Sequence, residues 1–189
     1  MDRLDEMLLE VKDTSELMID LAYSSLLYNN HDIAEEVFSM EEAVDEMVGQ
    51  IQNEAINRVI EDKNAPKALA IIRLSTALEE ISDAAMQIAD VVLRDVQPHP
   101  VIQLSLRDSE VIITAAQVQD DSSLANRTLG DVKLATQSGM WVIAVKRDRR
   151  YIYGPDEHTV IAAGDVLFAR GPKDGEAYFK DLASGAVKV

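Results

Sequence analysis

The 189-residue chain contains no cysteine, which excludes disulfide scaffolds and thiolate metal sites and suits a reducing compartment. No apolar run is long enough to span a bilayer, because Asp, Glu, Lys or Arg interrupts every helical segment. The opening residues, Met1-Asp2-Arg3-Leu4-Asp5-Glu6, lack the apolar stretch of a signal peptide. A cytoplasmic protein is expected, without direct membrane insertion. Basic residues are scarce: 18 Lys and Arg stand against 34 Asp and Glu, a net charge of −16. Such a polyanion repels nucleic acid, and no nucleic-acid partner is expected. Catalytic signatures are missing as well, with no nucleophile elbow, no Gly-x-x-x-x-Gly-Lys phosphate loop and no Gly-x-Gly-x-x-Gly turn. Neither an enzyme nor a NAD site is expected.

What is present divides in two. Apolar residues make up 47% of the chain, enough for a core. Residues 1–97 hold 22 acids against 7 bases, whereas residues 98–189 hold 12 against 11. In the acidic half, Leu4, Leu8, Val11, Ser15, Met18, Ala22 and Ser25 recur at three- and four-residue steps and predict a first amphipathic helix. That helix should end near Asn29-Asn30, with Asp32 as the cap of a second that Ile33, Val37, Met40, Val44, Met47 or Val48, Ile51, Ala55 and Val59 predict, and Asn64 before Pro66 marks the start of a third. There Ile71, Leu74, Leu78, Ile81, Ala85, Ile88 and Val92 form a heptad and are expected to face the core. Short connections imply an up-down-up bundle.

Gln97-Pro98-His99-Pro100 breaks this pattern and predicts a domain boundary at 97/98. Beyond it the period becomes two. Val111–Ala116 reads as a strand, and Thr128 and Asp131 as the capped start of a short helix ending at Ser138-Gly139. Trp141–Lys146 and Tyr151–Tyr153 should form a hairpin around Asp148-Arg149. Val160-Ile161, Val166–Ala169 and a last helix from Pro172 to about Ser184 follow. The fold class is therefore a three-helix bundle joined to a small α+β domain.

The bundle carries two acid pairs at four-residue spacing, Glu41/Asp45 and Glu79/Asp83. Each pair projects from one helical face, and antiparallel neighbours would let the pairs meet as oxygen ligands for a hard cation. By spacing alone they read equally as a solvated face. His31, His99 and His158 have no companion at zinc-type spacing and read as surface residues.

Two stretches resemble known families. Leu78-Glu79-Glu80-Ile81-Ser82-Asp83, with Glu41-Glu42-Ala43-Val44-Asp45, is similar to the third-helix signature of PhoU-type bundles and its companion acid pair. Some members of that family hold metal ions there, which implies Glu41, Asp45, Glu79 and Asp83 as ligands. One three-helix unit replaces the family's two, and a homodimer would restore the pair. Ser123–Asp131, Gly139–Arg147, Tyr153-Gly154-Pro155 and Gly164-Asp165-Val166-Leu167 together resemble the TrkA-C domain, the C-terminal ligand-sensing domain of regulators of potassium conductance. That resemblance implies a homodimer, and some of its members bind cyclic di-adenosine monophosphate at the dimer interface. By position Leu129, Leu134, Trp141, Arg150 and Pro155 would line the cleft. Leu129, Leu134 and Trp141 read equally as core or dimer contacts. Nucleotide-binding relatives carry Arg and Asn where this chain has Ala135 and Trp141.

The implied domains are 1–97, PhoU-like, and 98–189, TrkA-C. The implied function is a regulatory, ligand-sensing subunit of a potassium or other cation channel, transporter or cation/proton antiporter. The alternative is a PhoU-like adaptor in phosphate transport or signalling.

Overall fold

The computed structural model describes residues 2–94 and 111–188, the side chains of residues 61 and 62 excepted. Two compact units divide the chain, Met1–Gln103 and Leu104–Val189. The boundary expected at 97/98 lies outside the described residues.

In the first unit, α1 (Arg3–Tyr28), α2 (His31–Asp62) and α3 (Ala65–Leu93) are each set by local chemistry. Asp2 caps α1 in a reciprocal box with Asp5. Asn29, left-handed at φ 47°, ends that helix, and Asn30 Oδ1 accepts from Ile33 N to begin the next. Left-handed Lys63 ends α2, and Asn64 caps α3 through Lys67 N, with proline tolerated in the first turn. Arg58 near the end of α2 donates to Asp2 at the start of α1 at 2.8 Å and pulls that carboxylate well below its ordinary range, as antiparallel neighbours require. Val11, Met18, Leu21, Ile33, Met40, Ile51 and their neighbours are buried along α1 and α2 on the predicted seams.

α3 keeps part of its predicted seam, with Ala85 and Val92 buried and Ile71, Leu78 and Ile88 half-buried, and departs from it at Leu74 and Ile81. Its buried residues are Ala68, Ser75, Ser82, Ala85, Ala89 and Val92, whereas Leu74 is 51% and Ile81 39% exposed. The small inner residues keep the helix in contact with both neighbours. The Ser75 and Ser82 hydroxyls are satisfied by the carbonyls of Ile72 and Glu79, so burying them leaves no polar atom unpaired. Of the large residues in the predicted seam, Leu74 and Ile81 lie on the opposite face, while Ile71, Leu78 and Val92 lie toward the neighbours.

The second unit contains a four-stranded antiparallel sheet in the order β1-β6-β3-β4, formed by β1 (Val111–Gln117), β3 (Trp141–Arg147), β4 (Arg150–Tyr153) and β6 (Val166–Pro172). A two-stranded ladder pairs β2 (Arg127–Thr128) with β5 (Val160–Ile161). The predicted short helix is broken in two, α4 (Leu129–Val132) and α5 (Leu134–Ser138), by Lys133 in the left-handed conformation at φ 47°. The last helix begins later than expected. Pro172 closes β6, a 3₁₀ turn covers Lys173–Gly175, and α6 runs over Glu176–Ser184. Phe168 and Phe179 are buried, each worth roughly 2–3 kcal/mol.

A polar knot locks the predicted Gly164-Asp165 turn. Asp165 is 1% exposed, and its two oxygens accept from Arg147 Nε and Nη2 at 2.8 and 2.7 Å. It also accepts from Ala162 N, while the Arg147 guanidinium reaches the Val160 carbonyl. Bidentate pairing with every acceptor used is how a buried carboxylate becomes tolerable. Arg147 is therefore structural.

Candidate functional site

The second unit has a cavity of about 290 Å³ between α4, α5, the start of β3 and the loop that carries Pro155–Glu157. Backbone bonds hold these pieces together. Leu129 N donates to Thr159 O, and Gly130 N to Glu157 O at 2.9 Å. A Cβ on Gly130 would meet that same carbonyl at 2.9 Å, so the approach requires glycine. Asp156 folds the loop on itself by accepting from His158 N and the Thr159 hydroxyl, which holds its carboxyl below the ordinary value.

The floor is apolar: Leu134 (2% exposed), Met140 and Val142 are buried. Trp141 forms the rim at 64% exposure, a flat aromatic face presented to solvent. Lys133 is the cation among the lining residues, and Asp156 and Glu157 belong to the lining too. A concave apolar site with an aromatic edge and one cation suits a small ligand combining a planar ring with an anionic group. Leu129, Leu134, Trp141 and Pro155 are brought together here, whereas Arg150 sits exposed on β4 opposite Arg147 and is not in the lining. Ala135 is in the lining as well, so both positions where the chain departs from nucleotide-binding relatives face the cleft. Sequence reasoning missed Lys133 and Gly130. A lysine carries no signal for the left-handed conformation that turns the backbone here.

In the first unit, the four carboxylates act on one another. Glu41 is pushed above its ordinary value by burial and then by the charges of Asp45, Asp83, Glu42 and Glu79. Glu79 is raised by burial, by Asp45 and Asp83, and by a hydrogen bond with Asp45. Burial and neighbouring carboxylates are the leading influences on both groups. The donor chemistry fits a hard cation. Yet among the described residues no three His, Asp or Glu side chains converge on one point as metal ligands. An ion there would have to draw the carboxylates inward.

Comparison with known proteins follows the same division. Residues 8–92 match the PhoU domain family and residues 113–184 the TrkA-C domain family. Among curated proteins, the chain is 36% identical over 70 residues to sodium/sulfate cotransporter 2 of Chlamydomonas reinhardtii, covering 37% of this chain and 8% of that one. It is 25% identical over 65 residues to the probable potassium channel protein 2 of Methanocaldococcus jannaschii, covering 34% and 19%. The chain thus spans under a fifth of either relative. Among solved structures, the potassium transport protein KtrA RCK C domain in complex with cyclic diadenosine monophosphate is 24% identical, covering 43% of this chain and 93% of that one, with a TM-score of 0.36. The RCK_C domain dimer of S. agalactiae BusR with the same ligand is 23% identical, covering 41% and 95%, with a TM-score of 0.38. BusR in complex with its busAB-promotor DNA is 14% identical over 87% of this chain and 98% of that one, TM-score 0.38. Among the described residues, no helix is long and apolar enough to cross a membrane.

Proposed function

We propose that this chain, a PhoU domain over residues 8–92 followed by a TrkA-C domain over residues 113–184, is a non-catalytic regulatory subunit of a potassium or other cation transport protein. The observation that supports this reading is the cleft of the TrkA-C domain, walled by Trp141 and Pro155, floored by Leu134 and flanked by Lys133. A small ligand there would bias the geometry of a homodimer, and it can do so only by binding one geometry better than the other. Cyclic di-adenosine monophosphate is the probe of choice. Its adenine suits the Trp141 face, and its phosphate suits Lys133.

The membrane partner is a cation channel, transporter or antiporter, with regulation exerted from the cytoplasmic side. DNA is not proposed as a partner, because the net charge of −16 opposes it. Affinity capture from native membranes tests the reading. A cation channel or transporter should co-purify, whereas a phosphate transporter or sensor kinase in its place would transfer the assignment to a PhoU-type phosphate adaptor.

A second reading concerns the helical unit. The repulsion among Glu41, Asp45, Glu79 and Asp83 supports binding of a hard cation across α2 and α3. Elemental analysis of the protein and of Asp83→Asn tests it, and equal metal content in the two would reject these ligands.

A further inference from the structure

The outer face of α3 carries a second apolar seam that the three-helix unit does not use. Ala70, Leu74, Ala77, Ile81, Ala84, Ile88 and Val91 recur at steps of four and three, the heptad spacing of a helix with a partner. The first five are exposed, and the last two are half-buried. None is charged, although 28% of the chain is. Elsewhere in the unit the exposed large apolar residues are Leu9 and Tyr23 on α1, Leu69 on α3, and Ile56 and Ile60 one turn apart near the end of α2, and none of these forms a seam of several turns. A helix apolar on two sides belongs between two layers, and α3 keeps Ser75, Ser82 and Ala85 inside while Leu74 and Ile81 face out.

We propose that this face pairs with α3 of a second copy of the chain, in antiparallel orientation. Residue size identifies the occupant. Leu74, Ile81 and Ile88 share one heptad position, and Ala70, Ala77 and Ala84 share the other. In an antiparallel pair each position faces the other kind on the partner, so every large side chain meets an alanine and the layers fill evenly. In a parallel pair large would meet large and alanine would meet alanine, leaving alternate clashes and voids. The seam is thus complementary to itself. A basic partner attracted by the acids of this unit would need carboxylates within the seam, and none of its seven residues is one. Because residues 1–97 carry 22 acids against 7 bases, two copies repel, and their association tightens as salt is added. This surface is independent of the TrkA-C cleft and of any ligand there.

The absence of cysteine makes the test direct. Single cysteines replacing Ala70, Ala77 or Ala84 in the full chain are spin-labelled, and distances between copies are measured. Antiparallel pairing gives a different distance at each position, changing by about 21 Å per heptad on one side of the two-fold axis, from the rise of 1.5 Å per residue counted on both helices. Adding Ile81→Glu should abolish these distances while the circular dichroism stays helical. Ala77→Leu, which sets large against large, should weaken them and serves as a second variant if Ile81→Glu perturbs folding. Equal distances at the three positions would overturn the antiparallel pairing. No distance between copies, or distances that persist in both variants, would mean that the face is bare, covered by the chain's own second unit, or brought near its mate by contacts elsewhere, and the proposal would fall.

Discussion

The helical unit and the sheet unit are stabilised in opposite ways. The helices rest on repetition, with Val11, Met18, Met40, Val44 and Ile51 buried at regular steps and no single contact unique. The sheet unit depends on a few irreplaceable positions: Asp165 in its knot with Arg147, Gly130 against the Glu157 carbonyl, and Gly175, whose Cβ would meet the Ser138 carbonyl. Charge divides the same way. Repulsion among carboxylates is tolerated on the helices, whereas Asp165, the fully buried carboxylate among the described residues of the sheet unit, has both oxygens hydrogen-bonded. A repetitive structure absorbs substitutions, and a knotted one fixes a cleft. The cleft of this chain lies in the unit where single residues matter.

Substitutions that separate the two units should follow that order. Asp165→Ala removes a bidentate pair and a backbone acceptor, and should lower the stability of the sheet unit by about 3 kcal/mol. Two-probe denaturation, with Trp141 emission for the sheet unit and far-ultraviolet dichroism for the helices, should show only the first transition moving. A shift in both would dissolve the contrast. Gly130→Ala forces its new methyl against the Glu157 carbonyl and should cost about 1–3 kcal/mol while opening the cleft, visible as lost ligand binding before lost folding. Lys133→Glu should weaken binding of an anionic probe by about tenfold or more, roughly 1.4 kcal/mol, with the melting temperature unchanged. An unchanged affinity would remove Lys133 from the site.

The smallest effect belongs to the helices. Glu41 and Glu79 hold their protons more tightly in the fold than in the unfolded chain, so their contribution to stability falls as pH rises from the ordinary glutamate value through the raised one. Mild acidification through that window should therefore stabilise the helical unit. Glu79→Gln should stabilise it at neutral pH by less than about 1 kcal/mol after solvent screening, and should flatten that part of the pH profile. Destabilisation by Glu79→Gln would show that the carboxylate is held by a favourable partner instead.

Much of this was legible in sequence, and the failures have physical causes. The starts of the third helix and of the short helix could be read because Asn64 and Thr128 do what capping side chains do, accepting from the first turn, whereas α2 is capped by Asn30 and not by the expected Asp32. The Gly164-Asp165 turn was equally plain, though not the burial of its carboxylate, since pairing with Arg147 spans 18 residues of sequence. The seam of α3 was read in part: Ala85 and Val92 are buried as expected, but Leu74 and Ile81 face out, and Ser75 and Ser82 on the inner face are residues that no hydropathy pattern selects. Leu129, Leu134, Trp141 and Pro155, named from the TrkA-C resemblance, line one cavity. Arg150 does not, because one step along a hairpin changes which face a side chain occupies.

The central claim is that the cleft beside Trp141 receives a ligand, and the protein contains its own reporter, since Trp141 is the single tryptophan and stands on the rim. Titrating the full chain with cyclic di-adenosine monophosphate while following tryptophan emission should give a saturable change that Lys133→Glu shifts to higher concentration. Emission that stays constant to high concentration, in a protein whose fold is intact, would contradict the account.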